Sequence, residues 1–213
     1  SIAERGIYVS NVRGIHKKPM TESILAHILS YKRALKDIYA QQAEKKWNNR
    51  IQQTELNGST ALILGPGAIG QEIGRILQAF GVHTIGCNST GEPVSYMNET
   101  HKISNLLHEL PRADIIISML PSTEKTKYLL KSEHFEAMKD SAMFLNFGRG
   151  DVVETKVLIQ ALKDGQIAHA ILDVFDEEPL PENNELWEMD NVVVSPHVSS
   201  HSSRYVERSL DIF

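Results

Sequence analysis

The sequence predicts an α/β protein of the Rossmann type: a doubly wound parallel sheet with helices on both faces. Three observations carry this reading. Short apolar runs recur at Thr60–Leu64, Val82–Ile85, Ile115–Ser118, Ala142–Asn146, Ile167–Leu172 and Val192–Ser195. Helical patterns lie between several of them, and strands alternating with helices build a parallel sheet covered on both sides. A glycine-rich turn joins the first run to the first helix after it.

The elements follow in chain order. Residues 6–10 suggest a short strand, and Pro19 blocks helix just before it. From Met20 to about Asn48, Ile24, Leu25, Ile28, Leu29, Leu35, Ile38 and Tyr39 recur at helical spacing, so one long helix is expected. Asn57-Gly58 ends that stretch. Thr60–Leu64 is continuously apolar, as in a strand buried on both faces. Helices are expected at Gln71–Phe80, Ser132–Lys139 and Thr155–Lys163, and a surface loop at 179–185.

Composition narrows the function classes. The 213 residues are 41% hydrophobic and 23% charged, a globular composition. The formal net charge of −5, with no basic run, gives no electrostatic reason to expect nucleic acid. No apolar stretch approaches the roughly 18 residues that would span a membrane. Cys87 is the only cysteine, and no signal-peptide pattern opens the chain. A reducing, cytoplasmic setting is therefore expected.

The glycine turn fits G-x-G-x-x-G. Gly65 would permit a tight turn, Gly67 a close approach of backbone to a pyrophosphate, and Gly70 close helix–strand packing. Pro66 lacks an N–H, so the phosphate donors are expected at Ala68 and Ile69. In NAD-binding chains an acid about 20 residues further on holds the ribose hydroxyls. That position falls near Asn88, followed by Ser89 and Thr90, all neutral. The missing carboxylate favours NADP, although no Arg or Lys stands close in sequence and Glu92 does; NAD stays open.

Reduction of a 2-oxo acid needs a cation for the carboxylate, an acid for the carbonyl oxygen, and a group that keeps that acid protonated. Arg149, His197 and Glu178 supply such a set, each in a loop after a strand-like run. Ligands of parallel α/β sheets bind beyond the carboxyl ends of the strands, so the three loops can converge. Asp176 and Glu177 could equally be the exposed acids of their loop. No metal-ligand cluster is expected.

At these residues the chain resembles the D-isomer-specific 2-hydroxyacid dehydrogenase family. The resemblance rests on Gly65–Gly70, Leu120–Thr126, Met138-Lys139, Asn146–Gly150, Leu172–Pro179, Leu186-Trp187 and Ser195–His197, in family order and at family-like spacing. It implies that Arg149 binds the substrate carboxylate and carbonyl, that His197 is the general acid/base, and that Glu178 supports it. It further implies that Asp173 contacts the nicotinamide end, with Arg149 and His197 also beside the cofactor. Leu120, Pro121, Thr126, Asn146, Phe147 and Gly148 would line the cofactor cleft. Met20-Thr21-Glu22 would lie near a hinge, and the long helix would form the arm of a homodimer. Having Glu178 separates the chain from the similar formate dehydrogenase branch and favours a small 2-hydroxy or 2-oxo acid.

The resemblance also divides the chain. Residues 1–18 correspond to a crossover from a substrate domain that is largely missing, 19–197 to the dinucleotide-binding domain, and 198–213 to the start of a return helix. On that reading the chain alone would have little or no activity. A dinucleotide-sensing, corepressor-like binding module is the alternative, because such relatives can retain the Arg, Glu and His.

Overall fold

The computed structural model describes residue 5 and residues 14–210. The strand expected at residues 6–10 lies outside the described residues. Seven strands form one sheet in the order β3-β2-β1-β4-β5-β6-β7, and every neighbouring pair is parallel. They are β1 (Thr60–Leu64), β2 (His83–Asn88), β3 (Glu99–Lys102), β4 (Ile115–Ser118), β5 (Met143–Asn146), β6 (His169–Leu172) and β7 (Val192–Val194). The expected Rossmann-type sheet is therefore present, with one strand more than the apolar runs marked. That strand is β3, at the sheet edge, whose residues are all polar: Glu99, Thr100 and His101 are partly buried and Lys102 is exposed.

Alternation along each strand sends side chains to opposite faces. Leu62 and Leu64 of β1 enter one apolar cluster, together with Phe135, Phe144, Leu158 and Leu162. Ala61 and Ile63 enter the other, with Ile24, Ile28, Ile73 and Leu77. The second cluster is roofed by α1 (Lys17–Lys32) and α3 (Ala68–Ala79). The first is roofed by α4 (Leu106–Glu109), α5 (Ser132–Glu136) and α6 (Thr155–Lys163).

Two helix expectations are corrected. The long helix begins at Lys17, because Pro19 falls in the first turn, where an N–H has no intrahelical acceptor to lose. It is also broken: Ala34 takes a left-handed conformation (φ 50°) and separates α1 from α2 (Leu35–Ala43). The end of α1 is closed by the amides of Arg33 and Ala34 donating to Leu29 and Tyr31. No glycine or proline marks this break, which is why periodicity alone ran through it. The third helix opens at Ala68, three residues before the expected start. At the C-terminal end, α7 covers Tyr205–Leu210.

One buried ion cluster ties α1 to α3. Glu72, 8% exposed, accepts from Arg75 on its own helix and from Lys18 on α1 at 2.7–3.0 Å. Arg75, then Lys18, hold its carboxyl down to about 2, against an ordinary 4.5. The folded value lies below the unfolded one. The ionised form therefore stabilises the fold above about pH 4.5, and that contribution is lost as pH falls towards 2. Glu72→Gln should lower the urea midpoint at pH 7, with the gap to wild type closing in acid. An equal gap at both pH values would assign the effect to packing rather than charge.

Among the described residues no helix is long and apolar enough to cross a membrane.

Candidate active site

The strand order reverses direction between β1 and β4, so the loops after these strands leave a crevice at their carboxyl ends. Gly65 turns the chain there with φ +78°. A Cβ on Gly65 would stand 3.1 Å from the Met119 carbonyl and 3.2 Å from the Leu120 side chain. A Cβ on Gly70 would stand 3.2 Å from both the Gly65 carbonyl and Ile63. These two glycines meet protein. Gly67 differs: a Cβ there would find nothing closer than 4.0 Å, so its open side faces free space. Gly67 caps α3, and helix geometry leaves the amides of Ala68 and Ile69 without intrahelical acceptors. The first turn of α3 contains no acidic residue. This cradle fits a pyrophosphate, which needs donors and no opposing carboxylate.

Leu120 holds three loops together. Its side chain packs on Gly65, and its backbone N and O lie 2.7 and 2.5 Å from where a Gly148 Cβ would be. The loop after β4 is braced internally: Thr126 Oγ1 donates to the Pro121 carbonyl and accepts from the Thr123 amide. Thr126 therefore shapes the crevice wall rather than offering a free hydroxyl. Ser122 Oγ donates to Asp151 across to the loop after β5.

That next loop carries Arg149. Asn146, nearly inaccessible, donates to the Arg149 carbonyl and accepts from the Gly148 amide. Its amide sets the turn and does not face the crevice. Phe147 is 1% exposed in the core beside His27, so it is a packing residue and not a cleft residue. Arg149 itself is exposed, with one guanidinium N–H donating to the Gly148 carbonyl. It forms no ion pair among the described residues, which leaves most of its fork for an anion. Gly150 lies against the next loop so closely that a Cβ would overlap the Phe175 carbonyl at 1.8 Å.

The loops after β6 and β7 meet at a His–Glu pair. Glu178 Oε2 lies 2.8 Å from His197 Nδ1, and Glu178 Oε1 accepts from the Phe175 amide at 2.9 Å. A carboxylate only accepts here, so the proton on this edge belongs to Nδ1, and Nε2 lies outside the pair. The two side chains are 36% and 48% exposed, so a substrate can reach them. The ambiguity among the three acids of this loop is resolved by geometry. Asp176 instead accepts from the Thr155 amide and hydroxyl at the start of α6, and only Glu178 of the three is paired with His197.

Asp173, expected at the nicotinamide end, is hydrogen-bonded to the loop that carries His197. It is 1% exposed and both carboxylate oxygens are engaged by the segment that carries His197. Oδ1 accepts from Ser195 Oγ at 2.6 Å and the Val198 amide at 3.0 Å. Oδ2 accepts from the Ser199 amide at 3.2 Å and from Ser199 Oγ. Inside this clamp His197 adopts a left-handed backbone conformation, φ 55°. Asp173 thus fixes the loop that presents His197, a role sequence reasoning missed. The serines flanking Pro196-His197 were its only sequence trace.

Asn88 is also committed to its own loop. Its Oδ1 accepts from the amides of Thr90 and Gly91 and from Thr90 Oγ1, and its Nδ2 donates to the Glu92 carbonyl. The Asn88 side chain therefore shapes the turn at which the ribose contact is expected. Ser89, at the tip of this turn, is exposed. Met20 and Thr21 are buried in α1, with Thr21 Oγ1 unpartnered among the described residues. There is no group of three or more potential metal ligands among the described residues.

The parallel sheet, its reversal point and the glycine cradle define a Rossmann-like dinucleotide-binding domain. The comparisons make this specific: residues 25–199 match the D-isomer specific 2-hydroxyacid dehydrogenase NAD binding domain, and the chain belongs to that family. It is 34% identical over 215 residues to a glyoxylate reductase of Thermofilum pendens, covering 98% of this chain. It is 37% identical over 201 residues to an uncharacterised protein of Corynebacterium melassecola, covering 92% of this chain. The chain spans 63% and 65% of the lengths of these two relatives. Phosphoglycerate dehydrogenase from Lactobacillus plantarum superposes with a TM-score of 0.86 at 35% identity, over 100% of this chain and 69% of that one. A D-isomer specific 2-hydroxyacid dehydrogenase from Xanthobacter autotrophicus, solved with NADPH, gives 0.80 at 31% identity, over 89% and 78%.

Proposed function

We propose that this chain supplies the nucleotide-binding half and the acid–base pair of an oxidoreductase that moves hydride between NADP(H) or NAD(H) and a small D-2-hydroxy or 2-oxo acid. The observation that carries the reading is the His197–Glu178 pair, held at 2.8 Å in the loops beyond β6 and β7, with the uncommitted Arg149 in the neighbouring loop. The nicotinamide, when bound, supplies or accepts the hydride. Arg149 binds the carboxylate through its free donors and polarises the carbonyl. His197 Nε2 gives a proton to the carbonyl oxygen in reduction and takes one from the hydroxyl in oxidation. Glu178 accepts from Nδ1, which holds the ring in the tautomer that works at Nε2.

The pyrophosphate would sit on Ala68 and Ile69, with Gly67 giving it room. NADPH is the favoured cofactor, because the turn at the end of β2 offers Ser89 and Thr90 where an acid would repel a 2′-phosphate. Two solved relatives support this choice: the Xanthobacter structure holds NADPH, and a Sinorhizobium meliloti glyoxylate/hydroxypyruvate reductase, 28% identical to this chain, holds NADP.

The reading includes a homodimer and a cytoplasmic setting. α2 buries none of its residues, Tyr39 on it is 62% exposed, and Trp47 just beyond is 96% exposed. An arm with that much bare aromatic surface suits a second copy. Cys87 is deeply buried, and burial pushes its thiol up to about 12, which keeps it protonated and poorly reactive.

A fluorescence titration with NADPH and NADH tests the reading. Saturable binding of both, tighter for NADPH, is expected. Tighter NADH binding would reverse the cofactor choice, and binding of neither would overturn the proposal.

A further inference from the structure

The turn after β2 has no cation near it in sequence, yet the fold brings one. β3 runs parallel to β2 with Asn88 opposite Lys102. Paired residues of adjacent strands point to the same face of the sheet. Gly86 and Thr100, one pair back, show which face this is. A Gly86 Cβ would touch Pro66 of the glycine loop at 3.1 Å, and Thr100 Oγ1 accepts from the Val94 amide of the loop laid over that face. Lys102 therefore rises on the side of the sheet where the glycine loop and the start of α3 stand.

Its course is fixed by Gly91. That residue has φ +78°, and a Cβ on it would stand 2.9 Å from Lys102 Cγ and 3.7 Å from Lys102 Cε. The stem of Lys102 lies along a backbone surface that only glycine leaves open. Gly91 in turn is pinned by its amide on Asn88 Oδ1 at 2.5 Å. The result is a small built unit: Asn88 folds the turn, Gly91 gives the stem its track, and the exposed Lys102 runs along the turn that carries Ser89 and Thr90. Lys102 has no ion pair among the described residues. Nearby charges belong elsewhere: Glu99 is held by Arg112, His83 and His101, and Glu109 by Arg112 and His101. Glu92 is exposed on the same turn and is the one carboxylate that would oppose an anion there.

We propose that Lys102 is the specificity-determining cation of this chain, receiving the 2′-phosphate of a phosphorylated dinucleotide at the tip of the Asn88–Gly91 turn. The inference rests on the dinucleotide-binding reading above and adds to it a residue that sequence distance concealed. A point charge on a flexible stem suits a phosphate monoester, and the neutral turn supplies hydroxyl and amide donors around it.

The test uses the adenosine end alone. The 213-residue chain is titrated by calorimetry with adenosine 2′,5′-bisphosphate and, separately, with 5′-AMP, which lacks the 2′-phosphate. Wild type should bind the bisphosphate more tightly. Lys102→Gln should weaken the bisphosphate about 10- to 100-fold, the range of a lost hydrogen bond to a charged group. It should leave 5′-AMP unchanged, which also shows that the variant is folded. Lys102→Arg should retain most of the preference. If Lys102→Gln weakens both ligands equally, or neither, the assignment of Lys102 is wrong while the dinucleotide site stands. If wild type binds neither ligand nor NADH, both readings fall together.

Discussion

His197→Ala should cut turnover of a 2-oxo acid in the intact protein by on the order of 10²–10⁴, the usual cost of losing a general acid. NADPH affinity should be essentially unchanged, because the cradle at Gly65–Gly70 lies on a different loop from His197. The physical reason for the large effect is the pairing itself. Glu178 engages one edge of the ring, so nothing else in this loop is positioned to deliver the proton that Nε2 carries. Asp176 is spent at the start of α6 and cannot substitute. Steady-state oxidation of NADPH reads the first quantity and fluorescence titration the second. Turnover within a few-fold of wild type would remove His197 from the chemistry. A parallel loss of NADPH binding would make it a cofactor ligand instead.

The second large effect is expected at Asp173. Removing its carboxylate in Asp173→Ala leaves four donors without acceptors: Ser195 Oγ, Ser199 Oγ and the amides of Val198 and Ser199. The hydroxyls can rotate towards other partners, but the two amides cannot turn without moving the chain. At about 1–3 kcal/mol for each buried donor left unsatisfied, a loss of about 3 kcal/mol or more is expected. A urea unfolding midpoint measures it. Asp173→Asn is the gentler variant. It keeps the oxygen that serves Ser195 and Val198 but sets an amide N–H against the Ser199 N–H, so an intermediate loss is expected. In that variant turnover should also fall, although His197 and Glu178 are intact, because the left-handed backbone at His197 lies inside the clamp. Full stability in Asp173→Ala would deny the clamp. Lost stability with unchanged turnover in Asp173→Asn would show that His197 keeps its place without it.

The two variants differ in what they report about the site. In the proposed mechanism His197 acts at the reacting atoms, whereas Asp173 acts through the loop that presents His197. The same distinction runs through the cleft. Leu120 packs its side chain on Gly65 and its backbone against Gly148, whereas the Asn146 amide is used within its own loop. Thr126 is likewise used within its own. Residue type and spacing along the chain do not tell such residues from the ones that would touch a ligand.

Much of this molecule was legible in its residues because the relevant physics is local. Continuous apolar runs such as Ile115–Ser118 and Ala142–Asn146 read as strands buried on both faces, and β4 and β5 are buried throughout. The glycine spacing at Gly65–Gly70 marks a turn that larger residues would obstruct, and the order Arg149, Glu178, His197 places chemistry after three successive strands. What tertiary structure alone decided is non-local. The break at Ala34 has no glycine or proline to announce it. β3 is polar because it lies at the sheet edge, so no apolar run betrays it. The partners of Asp173 lie beyond the next strand. Lys102 reaches the Asn88 turn only because parallel register sets it opposite Asn88. Each of these depends on which segments the sheet brings side by side, and residue type along the chain does not carry that information.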